Sequence, residues 1–578
     1  MASYEKEPVI AIDGWQQEAW AGYGDIARLL AAHAQRRTKT IFVVECYPAV
    51  RIEEIVNGLS GLNPALVVRA EQAAHDAPRL QEKLGRYLTE DRVFGYKASF
   101  TIDEFYDEER LAAAARQVRE VEEGVVLVIG FGASLVAKGD VLIYADLARW
   151  EIQQRYRSRE FGNWRADNED EDILRKYKRG FFVEWRTADR LKRSLLGGAD
   201  YYLDTNRRDD PRMVTGAALF AGMRQTVQRP FRLVPYFDPG VWGGNWLEAH
   251  IGLEPKGNPY AWGFDGVPEE NSLLFLYGDV QIELPSMNVV FFESKALLGE
   301  RVYARFGAEF PIRFDFLDTI GGQNLSLQVH PLTDYIQQHF GMSYTQDESY
   351  YILEAKEGAN VYLGLKEDVD PDAMMADLER AQAGDRSFPA DRHVNAFPAR
   401  KHDHFLIPAG TVHCSCTDTM VLEISATPYI FTFKLWDWDR LGLDGKPRPV
   451  HLEHGRRNIQ WDRRTEWVRE NLVDRIEPVA AGEGWSEERT GLHELEFIET
   501  RRHWFTDTVP HHTNDGVQML NLVEGEEAVV ESPTGAFEPF VVRYAETFIV
   551  PAAVGAYTIR PTGGPQGRLG TIKAYVRT

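Results

Sequence analysis

The order of apolar and polar positions divides the chain into two textures. Up to about residue 230, continuous apolar runs alternate with stretches of helical period. Residues 9–12, 40–44, 125–129 and 141–145 are such runs, and Ile26-Ala-Arg-Leu-Leu-Ala31 and Ile52-Glu-Glu-Ile-Val56 are amphipathic segments between them. Unbroken apolar strands separated by helices predict a parallel sheet covered on both faces. Beyond about residue 231 the helical period fades, and short alternating strands broken by Gly and Pro take over. Residues 273–277, 280–284 and 289–292 are strand candidates there, and 371–383, with Met374, Met375, Leu378 and Ala381 on one face, is the clearest helix. From about residue 490 the strand texture repeats at 518–523, 540–543, 547–551 and 557–560. The expected domains are 1–230, 231–485 and 486–578.

Within the second texture, Asn324-Leu-Ser-Leu-Gln-Val-His330-Pro331 alternates strictly. Leu325, Leu327 and Val329 point one way, and Ser326, Gln328 and His330 the other. Glu348 stands at the mouth of a following strand, Tyr350-Tyr-Ile-Leu353. A later strand ends in a Pro-Ala-Gly turn that delivers His413. Two imidazoles, a carboxylate and an amide oxygen form a mixed nitrogen and oxygen set that suits zinc or another divalent first-row metal. Cys414 and Cys416 flank Ser415 just beyond, but alternation turns Cys414 away from the His413 face.

The sequence runs that carry these residues resemble class I mannose-6-phosphate isomerase. They are Trp242-Gly-Gly244, Phe310-Pro-Ile312, Phe316-Leu-Asp318, Leu325-Ser-Leu-Gln-Val-His-Pro331, Glu348-Ser-Tyr-Tyr-Ile-Leu353, Val361-Tyr-Leu-Gly-Leu-Lys366, Ile407-Pro-Ala-Gly-Thr-Val-His413 and Trp436-Asp-Trp-Asp-Arg-Leu441, in the family's order. The resemblance runs from about Arg232 to the C-terminus. It implies all-β double-stranded β-helix (cupin) domains and a zinc-dependent aldose–ketose isomerase acting on a sugar or sugar phosphate. The implied metal ligands are His330, Glu348 and His413, with Gln328 as a fourth, and Ser326, Gln346, Lys434 and Arg440 stand at the catalytic positions. The last strands resemble a second cupin barrel. Its His511 and His512 have no acidic partner or later histidine in sequence, so that barrel reads as metal-free and structural.

The chain departs from the family pattern where charge matters. Gln346 stands where the family has a lysine, Lys434 where it has an arginine, and Asp315 where many members have a lysine. The pocket is therefore expected to be less cationic than one built for a phosphosugar, with Arg440, Lys366 and Arg400 as candidates for rebuilding an anion site. A non-catalytic sugar-binding or regulatory cupin is the competing reading.

The N-terminal α/β domain weakly resembles P-loop nucleoside-kinase-like proteins, through residues 9–14 and 125–146. Its loop, Gly14-Trp-Gln-Gln-Glu-Ala-Trp-Ala-Gly22-Tyr-Gly24-Asp25, lacks the lysine and hydroxyl that phosphate and magnesium need. A degenerate, non-catalytic domain is expected. The charged stretch 151–190 reads as a solvated helix pair, with a lid over an anionic ligand as the sharper alternative.

A formal net charge of −23 over 578 residues argues against nucleic acid and anionic membrane as partners. Three cysteines cannot build a disulfide framework. No basic-then-apolar leader and no run of about 18 apolar residues is present, so a cytoplasmic enzyme with a small-molecule carbohydrate substrate is expected.

Overall fold

A computed structural model describes residues 4–426, 429, 431–491, 493–563 and 567–578. The chain forms two compact units. One comprises residues 9–225 with 272–292, and the other residues 1–8, 226–271 and 293–578.

The first unit holds a seven-stranded sheet in the order Ala19–Ala21, Arg212–Thr215, Tyr201–Asp204, Val141–Asp146, Lys39–Cys46, Gly124–Gly130 and Leu66–Arg69. The last five are mutually parallel. Their apolar runs are buried because helices cover a sheet of this kind on both faces. Val9–Ala11 stays out of this sheet. It pairs in parallel with Ser272–Tyr277, which forms a hairpin with Val280–Pro285. The segment 272–292, expected beside the isomerase-like strands, thus belongs with the α/β unit. Residues 289–292, expected as a strand, lie in the helix Met287–Phe292.

This arrangement places no phosphate loop after the first strand. The chain passes from Val9–Ala11 through the short strand Ala19–Ala21 into a helix, Gly22–Ala34, whose first turn carries Asp25. At the carboxyl edge of the parallel sheet, the amides that could cradle a phosphate donate to the chain's own carboxylates instead. Gly132 and Ser134 donate to Glu45, and Phe131 donates to Glu71.

The charged stretch 151–190 is less solvated than its composition suggests. Arg155, Lys176, Lys178 and Arg179 are all buried. Arg155 donates to the carbonyls of Ala49 (2.7 Å), Thr205 (2.7 Å) and Asn206 (3.2 Å) and to Glu151 (2.8 Å). A guanidinium with its donors matched this way tolerates burial, and its loss strands several acceptors. Arg155→Met is expected to lower the unfolding free energy by about 3 kcal/mol, measured by urea denaturation. A change below about 1 kcal/mol would contradict the packing role.

The second unit contains two barrels of antiparallel strands, an arrangement consistent with a cupin-like fold. In the first, one sheet runs His404–Ile407, Asp347–Ala355, Thr419–Ala426, Arg313–Asp318, Tyr260–Gly266 and Tyr236–Gly244. The facing sheet runs Val394–Pro398, Asn360–Leu365, His413–Ser415, Leu327–Val329 and Phe433–Trp436. The helix Pro371–Gln382 starts at Asp370, whose carboxylate accepts from Asp372 and Ala373, and it buries Met374, Met375, Leu378 and Ala381.

The second barrel repeats the plan. One sheet runs Thr547–Val550, Gln518–Glu524, Leu569–Val576, Ile498–Phe505, Trp485–Gly491 and Glu477–Gly482. The other runs Phe540–Arg543, Glu527–Glu531, Ala556–Pro561 and Val509–His512. Both sheets contribute to one apolar core of Phe505, Val509, Leu520, Leu522, Val530, Phe548, Ile559 and Leu569, among others.

Candidate metal centre

Three side chains predicted as ligands converge between the two sheets of the first barrel. His330 ends the strand Leu327–Val329, His413 begins the strand His413–Ser415 opposite Gln328, and Glu348 lies near the start of Asp347–Ala355 on the facing sheet. Their ligand atoms lie within 4.8 Å of one another, and all three residues are fully buried. Among the described residues this is the one such group.

The hydrogen bonds orient the donors. His330 Nδ1 lies 2.9 Å from the Phe431 carbonyl, and His413 Nδ1 lies 2.9 Å from the Thr411 carbonyl. A carbonyl only accepts, so each ring carries its proton on Nδ1 and turns the Nε2 lone pair inward. Those Nε2 atoms stand 3.1 Å and 2.9 Å from the two oxygens of Glu348. His330 Nε2 and Glu348 Oε1 make no hydrogen bond despite complete burial. Two inward-facing imidazole nitrogens and a carboxylate, with atoms orphaned, fit a cation.

Gln328 completes the set at the outer side. Its amide end is 3.1 Å from His413 Nε2, and rotating the amide by half a turn places its oxygen there. Gln328 is 8% exposed, against none at the trio, so it is the member of the set nearest solvent.

Charges around the trio are paired and buried. Burial opposes ionisation of Glu348, but the imidazoles of His330 and His413 outweigh it and hold the carboxyl well below its usual range. Burial would lower His330, and Glu348 raises it instead, whereas burial prevails at His413 and lowers it. On the same sheet face stands Glu423, directly opposite Asp315. Burial, with Asp315 and Glu348 adding repulsion, pushes Glu423 well up. Asp315 is pushed up to about 6 by burial against the pull of Arg313.

The remaining predicted residues divide. Gln346 is inside the site: its amide nitrogen donates to Glu348 Oε2 (2.9 Å) and Glu423 Oε1 (3.4 Å), and its oxygen accepts from the Phe431 amide (2.7 Å). Lys434 pairs across the strand with Gln328 and is half-buried. Ser326 and Arg440 meet at Asp437 Oδ1, at 3.0 Å and 2.6 Å, with Arg448 2.9 Å from the other oxygen. Among the described residues no hydrogen bond or ion pair joins Lys366 or Arg400 to the trio. Their backbone amides donate to His393 and Asp403.

Two residues escaped the sequence reading. Arg313 lies two positions before Asp315, hence on the same face, and pairs with it at 2.9 Å. It brings back a positive charge to the sheet position where Asp315 had seemed to reverse one. Glu423 carried a legible signal, because its two-residue spacing from Ser425 puts both on the face that carries Glu348. Cys414 is buried away from the trio, with its thiol 3.0 Å from the Leu325 carbonyl.

Comparison with known proteins bears on the two units differently. A family described as "Domain of unknown function (DUF8485)" matches residues 22–228. "Probable mannose-6-phosphate isomerase GmuF" of Bacillus subtilis is 31% identical over 147 residues, 25% of this chain and 43% of that protein. "Mannose-6-phosphate isomerase" of Streptococcus mutans is 27% identical over 217 residues, 37% of this chain and 62% of that protein. The relatives are mannose-6-phosphate isomerases. The chain spans roughly half the length of these two relatives. The solved mannose 6-phosphate isomerase of Bacillus subtilis is similar at 17% identity and a TM-score of 0.49, over 60% of this chain and all of that one. Among the described residues no helix is long and apolar enough to cross a membrane.

The donor set makes a thermodynamic prediction. A divalent ion that binds the folded trio alone stabilises the fold, by about 2.7 kcal/mol at a hundred times its dissociation constant. Zinc added to chelator-treated protein is expected to raise Tm and magnesium to leave it unchanged, since imidazole nitrogens favour zinc. Equal effects of both ions in differential scanning fluorimetry would contradict the assignment.

Proposed function

We propose that the chain is a metal-dependent aldose–ketose isomerase acting on a sugar or sugar phosphate, with zinc or a similar divalent ion held by His330, Glu348, His413 and Gln328. The observation that carries this reading is the inward convergence of two imidazole lone pairs on a buried carboxylate. When bound, the ion polarises adjacent carbonyl and hydroxyl oxygens of the sugar.

The chain's own groups then divide the work. Isomerisation removes a proton from one carbon and returns one to its neighbour, so a group that accepts and returns a proton must sit beside the sugar's C1–C2 edge. Glu423 faces the cup next to Glu348 and fits that task. Gln346 holds both carboxylates and cannot supply the positive charge of a lysine. Lys434, beside Gln328, is the group placed to meet an anionic end of the substrate, and Ser326, Arg440 and Arg448 around Asp437 extend that side. The decisive experiment is an assay of purified protein, loaded with zinc or manganese, against free and phosphorylated hexoses. Absence of turnover on the whole panel would overturn the enzyme reading.

Lys434 distinguishes the substrate classes. Lys434→Ala is expected to raise KM for a phosphorylated hexose about tenfold or more, the scale of one charged hydrogen bond, with KM for the free hexose little changed. Equal effects on both would remove Lys434 from phosphate recognition.

The engagement of the Gln346 amide, and of Ser326 and Arg440 by Asp437, favours a second reading, a sugar-binding cupin without turnover. Saturable sugar binding by the metal-loaded protein, without interconversion, would identify it.

A further inference from the structure

The second barrel repeats the strand plan of the first, so the residues at the first barrel's metal position can be traced into it. Glu348 pairs with Ile407 and Ser425 on its two neighbours, and Gln518 pairs with Val550 and Tyr575 on the corresponding strands. Pro408 and Pro551 follow Ile407 and Val550. Gln328 faces His413, as His511 faces Tyr557. Glu423 faces Asp315, as Lys573 faces Arg501. The cup has therefore exchanged its ligand carboxylate for an amide, one ligand imidazole for a phenol, and Glu423 for a lysine. The Tyr557 hydroxyl donates to Gln518, which repeats the contact between His413 and Glu348.

These residues do not satisfy one another. Lys573 is 7% exposed, and its ammonium has three donors. Among the described residues its one hydrogen-bond contact is to His511 Nδ1 at 3.5 Å, beside the Tyr575 ring at 5.9 Å, with Glu487 and Glu499 acting on it only through their charge. Since His511 Nδ1 accepts from an ammonium, its proton sits on Nε2, and that buried donor has no partner among the described residues. His503, packed against His511 at 4.5 Å between ring centres, points Nε2 at Glu487 (3.5 Å) and leaves a buried Nδ1 acceptor without a partner among the described residues. Glu487 is itself shared with Arg501. Burial lowers Lys573 to about 8, which leaves it cationic at neutral pH.

We propose that this cup is a second ligand site and that it takes a small oxyanion, with Lys573 as the counter-charge and His511 Nε2–H as a second donor. An oxyanion carrying a hydroxyl or an acid proton also satisfies His503 Nδ1. A metal ion does not fit here. Lys573 occupies the position corresponding to Glu423, and among the described residues only His330, Glu348 and His413 gather three ligand atoms within 4.8 Å. The proposal is independent of any chemistry in the first barrel.

The test is isothermal titration calorimetry of the full chain with inorganic phosphate at pH 7. It is run in a Lys434→Met background so that this lysine of the first barrel does not contribute. Saturable binding is expected, at least tenfold weaker after Lys573→Met is added and also weakened by His511→Phe. A hydrophobic isostere for a buried, under-partnered ammonium is not expected to unfold the barrel, and the melting curve of each variant verifies that. Undetectable phosphate binding in the Lys434→Met protein, or binding indifferent to Lys573→Met, would overturn the proposal. So would glycerol binding as tightly as phosphate, because a neutral polyol needs no counter-charge.

Discussion

Replacing His330 with alanine is expected to empty the first barrel of metal and to lower the proposed isomerase turnover by more than about 100-fold, beyond the loss typical of groups that merely support a ligand. The mechanism is electrostatic as well as coordinative. The two imidazole lone pairs and the Glu348 carboxylate face one point, and each ring is fixed by a backbone carbonyl at 2.9 Å. With His330 gone, one imidazole, one carboxylate and the Gln328 amide oxygen remain, a set with a single nitrogen donor that holds a divalent ion far more weakly. Glu348 also loses the partner that does most to keep it ionised. The measurement is metal content by mass spectrometry alongside turnover. Full metal occupancy in His330→Ala would remove this residue from the ligand set, whatever happened to activity.

Glu423→Gln should behave in the opposite way on metal and in the same way on rate. The isostere keeps the size and the contact with Gln346 but removes the carboxyl proton. We expect metal content near that of the parent and a kcat lowered by about 10² to 10⁴-fold, the usual contribution of a positioned acid or base. Exchange of the substrate C2 proton with deuterated solvent should fall in parallel, because that exchange reports proton removal directly. A variant that retains solvent exchange and turnover within a few-fold of the parent would assign the proton transfer to another group, and Asp315, which faces Glu423 across the strand, would be examined next.

Much of this site was legible in local pattern. A strand has a period of two, so Ser326, Gln328 and His330 had to share a face once residues 324–330 were read as a strand. The Pro-Ala-Gly turn before His413 and the mixed donor set required no tertiary information. Helix 371–382 was equally legible, because an Asp cap, a proline in the first turn and an apolar stripe all agree.

Other features depended on partners distant in the chain. Val9–Ala11 has the composition of a sheet strand, but its partner is Ser272–Tyr277, more than 260 residues on, and no local property announces that pairing. The arginines and lysines of 151–190 looked solvated because composition counts charges and not acceptors. The carbonyls that accept from Arg155 belong to residues 49, 205 and 206. Asp315 read as a reversal of charge because the ion pair with Arg313 depends on both side chains being buried on one face.

By itself, the sequence determined which residues alternate, where strands stop, which donor types are available and that the chain carries excess negative charge. These follow from covalent order and local backbone geometry. The tertiary structure decided that His330, Glu348 and His413 meet, that Glu423 joins them, and that His503, His511 and Lys573 gather in a second cup, with Glu487 beside His503. Such encounters are set by sheet register between distant strands, and a one-residue slip would turn each of these side chains to the opposite face.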